Sequence, residues 1–175
     1  MIRLIAAGDR KVMLRVNHWP APRWIRTWMT TASRAGDGWL WIALGLVLLL
    51  FGGARRFEAL GAAFVSMAAG LGIFWLLKQL TGRERPCSIE AHCWSKLLPP
   101  DRFSFPSGHA ITAFAVAVPL GLSYPSLLAG LVFCAVSVAV SRVLLGLHYL
   151  SDVLAGVLIG CTLGIVSFSL FGAGA

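Results

Sequence analysis

Ser141-Arg142-Val143-Leu144-Leu145-Gly146-Leu147-His148-Tyr149-Leu150-Ser151-Asp152 closes one long apolar run and opens the next. Two further polar clusters interrupt the apolar sequence upstream. They are Lys78-Gln79-Leu80-Thr81-Gly82-Arg83-Glu84-Arg85-Pro86 and Pro106-Ser107-Gly108-His109. Ionisable side chains at the ends of membrane-length segments are costly, so each is a candidate functional group. The three clusters supply cations, two histidines, a Ser–Gly pair and a carboxylate. Those are the parts of a phosphate site with a nucleophile and an acid.

The surrounding composition is that of an integral membrane protein. Of 175 residues, 58% are hydrophobic and 13% are charged, against about 25% charged in a soluble domain. Mean hydropathy is +0.79. The length predicts a single domain over residues 1–175. The apolar stretch Leu4 to Ala7 is too short for a cleavable signal. Net charge is +8, but the cations flank apolar runs instead of covering a soluble face. That points away from nucleic acid and towards the bilayer, anionic headgroups or a phosphorylated substrate.

Residues 1–37 carry seven Lys/Arg and are broken by Pro20 and Pro22. The piece after the prolines puts Trp24, Ile25, Trp28 and Met29 on one helical face. It reads as an amphipathic helix in the membrane interface, or as one packed over the spans, or both. Residues 38–175 predict a helical bundle. Seventeen uncharged residues separate Asp37 from Arg55, and 19 separate Glu58 from Lys78. Three more runs follow an active-site loop over about residues 82–106: Ser107 to Pro125, Ser126 to Leu145, and His148 to the end. The expected fold is therefore all-α, with about five transmembrane helices and an N-terminal interfacial segment. Successive spans alternate direction, so counting alone brings the three polar clusters to one side of the membrane.

Each cluster has a definite chemical capacity. His148 and Asp152 lie four residues apart on one helix face. There a carboxylate can accept one ring N–H and leave the other nitrogen as nucleophile or base, or the pair can simply satisfy itself. Ser107-Gly108-His109 opens a helix whose free N–H groups and dipole suit a phosphate. Ser107 is also an N-cap candidate. Lys78, Arg85 and Arg142 bring cations from three segments; Arg142 lies inside an apolar pattern and needs an anionic partner. Arg83, Lys96 and Arg102 read as flanking charges that snorkel to headgroups. Cys87 and Cys93, with His92 beside the second, could close a disulfide loop in an oxidising compartment. As a metal pattern they are weak. The small residues Gly156, Gly160 and Gly164 suit helix packing, within one chain or between chains.

Taken jointly, Lys78 with Arg85-Pro86, Pro106-Ser107-Gly108-His109, and Ser141-Arg142 with His148 and Asp152 resemble the three-part signature of the type 2 phosphatidic acid phosphatase superfamily. Ser33-Arg34-Ala35-Gly36-Asp37-Gly38 resembles that family's entry to the first span. The resemblance implies a lipid phosphatase in which His148 attacks phosphorus, Asp152 orients it, and His109 acts as general acid and base. Lys78, Arg85, Ser107, Gly108 and Arg142 would hold the phosphoryl group. It implies no cofactor and no metal. It also implies a phosphorylated lipid as substrate, such as undecaprenyl pyrophosphate, phosphatidylglycerol phosphate or phosphatidic acid. Many members have six spans, where five are counted here.

Rival classes are a lipid phosphotransferase, revealed by acceptor-dependent loss of free phosphate, and a haloperoxidase holding vanadate, which the spans oppose. A non-catalytic lipid-phosphate binding or transport protein is a third, and it would have no need of both histidines. Counting Lys/Arg places the site in the cytoplasm. The resemblance and the Cys87/Cys93 pair place it on the periplasmic or outer face of a bacterial inner membrane, which is the expectation adopted.

Overall fold

The computed structural model describes residues 2–89 and 102–172. Among them the secondary structure is helical, apart from one isolated β-bridge between Glu84 and Phe103. The helices are α1 (Ile2–Asn17), α2 (Arg23–Ala35), α3 (Trp39–Phe51), α4 (Arg56–Thr81), the single turn α5 (Pro86–Ile89), α6 (Gly108–Ser123), α7 (Leu128–Leu144) and α8 (Leu150–Gly172). The breaks fall where the local chemistry puts them. Pro20 and Pro22 separate α1 from α2. Gly38 at φ 122° lets the chain turn by 61° between α2 and α3. Gly82 at φ 57° ends α4 in the left-handed conformation that favours glycine.

Helix α6 is the centre of the bundle. Ala110, Ile111, Ala113, Ala115 and Ala117 along it are buried. Its small residues allow α4 and α8 to approach closely, and the neighbours are cut to match. A Cβ added at Gly160 of α8 would stand 2.6 Å from the Ile111 carbonyl oxygen, and one at Gly156 would stand 2.7 Å from that of Ser107. Gly70 of α4 fits against Ile111 in the same way. The Gly156, Gly160 and Gly164 stripe is thus used within the chain, against α6. Buried hydroxyls tie the same three helices together. Ser66 donates to the Ala115 carbonyl, and Ser167 donates to that of Ala62 at 2.7 Å. In lipid such bonds contribute about 0.6 kcal/mol each, and close van der Waals packing contributes the rest.

The span count is refined. All five expected runs are helical, but among the described residues only α4, α8 and α7 with its leading 3-10 turn are long and apolar enough to cross a bilayer unaided. The bent pair α2–α3 would make a fourth. Helix α6 has 16 residues, about 24 Å at 1.5 Å per residue, against about 30 Å of hydrocarbon. A central helix can be this short because its neighbours, not lipid, enclose its N-terminus.

The N-terminal segment is both amphipathic and packed. Helix α2 lies against α7 and buries Met29, Ala32 and Ser33. Trp24 and Trp28 remain exposed and stacked, so the expected apolar face splits between protein and lipid. Helix α1 docks on α7 and α8 and buries Asp9, Met13 and Asn17 at four-residue spacing. Helix α3 touches α4 only lightly, which leaves a trough between them.

Candidate active site

A cavity of about 860 Å³ begins where the three polar clusters meet. Lys78, Arg85, Gly108, His109, Arg142 and His148 line it. Its other wall runs between α3 and α4 over Trp41, Ile42, Leu46, Phe64 and Leu71. One end is cationic and the remainder is apolar.

The α6 N-terminus forms the floor. Ser107 occupies the N-cap position without capping the helix, and its N–H donates to the Asp152 carbonyl at 3.0 Å. Its hydroxyl is buried and has no partner among the described residues. A buried hydroxyl left so carries a desolvation cost that a ligand oxygen would remove. Gly108 packs on the Phe74 ring, which an added Cβ would approach to 3.0 Å.

The cations are nearly fully enclosed. Lys78 is 4% exposed, and its Nζ lies 4.3 Å from the Phe74 ring centroid. Arg85 donates to the Leu147 carbonyl at 2.8 Å, with the same Nη1 3.1 Å from Nε2 of His148. Arg142, at the end of α7, donates to the Ser33 hydroxyl at 2.6 Å. Three enclosed positive charges therefore converge on one end of the cavity. They are ready for a dianion.

His148 sits in the turn between α7 and α8. Its Nδ1 is 2.6 Å from the Ser104 carbonyl oxygen. A carbonyl can only accept, so Nδ1 carries the proton and Nε2 presents its lone pair. Burial pushes the His148 pKa down to about 4, with Arg85 and Arg142 adding to the effect and Asp152 opposing it. The ring is therefore neutral near pH 7, as a nucleophile requires.

Asp152 differs from expectation. Its Oδ2 stands 3.8 Å from Nδ1 of His148, beyond hydrogen-bond reach. That oxygen accepts the Tyr149 N–H at 2.9 Å, while Oδ1 accepts from Arg83 at 2.6 Å. The ring N–H goes instead to the Ser104 carbonyl, two residues before Pro106, which lies closer than the i+4 carboxylate. Arg83 is a second correction. It does not snorkel to headgroups; it forks between Asp152 and Asp9, at 2.6 and 2.7 Å. The disulfide and metal readings of Cys87, His92 and Cys93 fall partly outside the described residues, as does Lys96.

Two acids were left without a role by the sequence. Asp37, in the α2–α3 bend, lies 2.6 Å from Nε2 of His109. Asp9 of α1 bonds Arg83 and Ser151. They are the two acids in the first 37 residues. Their isolation among cations was the signal available, although nothing local says which distant residue each would meet.

A family model, PAP2 superfamily, matches residues 59–174. The chain belongs to the PAP2 superfamily. It is 37% identical over 141 residues to a decaprenylphosphoryl-5-phosphoribose phosphatase of Mycobacterium tuberculosis, covering 77% of this chain and 72% of that one. It is 30% identical over 144 residues to an undecaprenyl-diphosphatase of Sulfolobus acidocaldarius, covering 81% and 68%. The crystal structure of Aquifex aeolicus LpxE superposes with a TM-score of 0.76 at 25% identity, covering 91% of this chain and 93% of that one. The expected membrane bundle and lipid phosphatase class both hold for this PAP2 chain.

Proposed function

We propose that this PAP2 protein removes the terminal phosphate of a long-chain lipid phosphate or diphosphate through a phosphohistidine at His148. The single observation that carries the reading is a neutral imidazole, Nδ1–H tied to Ser104 and Nε2 beside Arg85, at the cationic end of a cavity that continues as an apolar trough.

In the first half-reaction Nε2 of His148 attacks phosphorus, an N–P bond forms, and the P–O bond to the lipid breaks. Arg85 leaves Nε2 and follows the phosphoryl oxygens. Lys78, Arg142, the Ser107 hydroxyl and the Gly108 N–H hold the same group and stabilise its developing charge. His109 gives its proton to the departing oxygen, with Asp37 holding the ring. In the second half-reaction His109 takes a proton from water, the water oxygen bonds to phosphorus, and the N–P bond breaks. Inorganic phosphate leaves and His148 is regenerated. Asp152, fixed by Arg83 and the Tyr149 N–H, supports the positive charge that the ring acquires. The positive charge at the transition state comes from Lys78, Arg85 and Arg142, with no metal ion assigned to any step.

Undecaprenyl pyrophosphate, phosphatidylglycerol phosphate and phosphatidic acid all pair a small anionic head with a long apolar tail. The polyprenyl substrates named for the two relatives make the first of these the one to try first. We assign the site to the outer face of a bacterial cell membrane, the face that the resemblance to outward-facing bacterial members of the superfamily implies. A membrane-impermeant thiol reagent applied to intact cells carrying Arg102→Cys, with the four native cysteines replaced by serine, tests that face.

The test of function is phosphate release by the purified protein in detergent from these three lipids, with chelator present and His148→Ala alongside. Release that persists with chelator and is lost in the variant is expected. Release abolished by chelator, or retained by His148→Ala, overturns the mechanism.

A further inference from the structure

Asp9 is the one acid of a basic helix, and it is 5% exposed. A buried carboxylate is costly unless donors surround it. This one accepts from Arg83 Nη2 at 2.7 Å, from the Ser151 N–H at 3.0 Å and from the Ser151 hydroxyl. No atom of Asp9 lines the cavity. Each of its partners, however, leads to a residue of the proposed mechanism. Arg83 uses its other nitrogen on Oδ1 of Asp152 at 2.6 Å and on the Ser151 hydroxyl at 2.8 Å. The guanidinium also lies 4.1 Å over the Tyr149 ring, next to His148 in sequence. Ser151 is the residue immediately before Asp152, at the first turn of α8, where a carboxylate also complements the helix dipole.

Arg83 is thus shared between two carboxylates, one on α1 and one on α8. With Asp9 present the fork is spread, and only one nitrogen faces Asp152. Without Asp9 the fork can close on Asp152 with both nitrogens, pulling that carboxylate away from His148 and removing one negative charge from the group around the nucleophile.

We propose that Asp9 is a positioning residue for catalysis. It holds Arg83 and the first turn of α8 so that the Asp152 carboxylate faces His148, which makes α1 a structural part of the active site. This rests on the phosphohistidine reading above. Asp9 touches none of the three cations placed on the phosphoryl group, so its effect falls on kcat and leaves KM in place.

The experiment compares Asp9→Asn, Arg83→Gln and the double variant, each purified in detergent, on the lipid phosphate that the wild type turns over best. His148→Ala is run beside them, and its loss of turnover establishes the parent reading independently. Asp9→Asn is expected to lower kcat on the order of tenfold, since a small misplacement of reacting groups is enough for such a loss, with KM within about twofold. The double variant is expected to be no worse than the poorer single variant, because the two residues act through one linkage. Asp9→Glu is expected to recover part of the loss. If Asp9→Asn does not fold, Ser151→Ala removes a hydroxyl shared by Asp9 and Arg83 while keeping the backbone contact. It is then expected to lower kcat severalfold at unchanged KM. Multiplicative losses in the double variant, a change in KM alone, or full kcat in the folded variants would overturn the proposal.

Discussion

His148 donates its Nδ1–H to the Ser104 carbonyl at 2.6 Å, and Asp152 stands 3.8 Å from the same nitrogen. The carbonyl therefore sets the tautomer, and the carboxylate acts on the ring through space. Removing the charge of Asp152 should leave the nucleophilic nitrogen correctly protonated. Asp152→Asn is expected to lower kcat about a hundredfold by losing charge stabilisation, well short of His148→Ala, which removes the nucleophile. Acid-quench trapping of phosphohistidine reads the difference: a small residual amount in Asp152→Asn and none in His148→Ala. Equal loss in both would mean that the carboxylate, not Ser104, holds the ring.

The pH dependence follows from the burial of His148. Its pKa lies near 4 in the folded protein, against about 6.5 in an unfolded chain. The folded state thus favours the neutral ring. As pH falls from about 6.5 towards 4, the unfolded chain takes up the proton first, and stability drops through that window. Above pH 6.5 the contribution is complete and flat. Thermal unfolding in detergent between pH 4 and 7 should show the decline, and His148→Gln should flatten it. The acid limb of kcat/KM should likewise lie below pH 6.5, since the nucleophile stays unprotonated there.

Asp37 and His109 make a leaving-group prediction. A general acid matters most when the departing oxygen is a poor leaving group. His109→Ala is expected to reduce turnover of an alkyl lipid phosphate by about 10²–10⁴ and to cost much less with an activated aryl phosphate. Asp37→Asn, which weakens the 2.6 Å contact to the ring, should show the same pattern at smaller size. Equal losses on both substrates would place His109 in phosphate binding instead.

Gly160 tests the packing that holds the α6 N-terminus in place. An added methyl would meet the Ile111 carbonyl at 2.6 Å, a backbone atom that cannot rotate away. Gly160→Ala should destabilise the bundle by about 1–3 kcal/mol, visible as a lower unfolding temperature in detergent. Gly72→Ala, where the added methyl meets nothing within 4 Å, should not.

Much of the site was legible because its residues are chemically out of place. Lys78, Arg85, Arg142, His148 and Asp152 stand out against an apolar background, and alternation of the spans brings their clusters together without any tertiary knowledge. Ser104 was illegible for a different reason: its backbone carbonyl does the work, and every residue has one. The partner of Arg83 is illegible because a cation at a span end looks the same in sequence whether it reaches for a headgroup or for a buried acid. Asp9 and Arg83 lie 74 residues apart, and neither carries a mark of the other.

The membrane class, the helical runs, their breaks and the residue types of the site are all written in the order of residues. These follow from local quantities: apolar length, proline and glycine positions, and the cost of placing charge near lipid. Which acid meets which cation, what the Gly156–Gly164 stripe packs against, and what holds the His148 ring come from packing. Those are matters of ångström-scale distance between residues far apart in the chain. They are settled only when α4, α6 and α8 close on one another and α1 docks on α7 and α8.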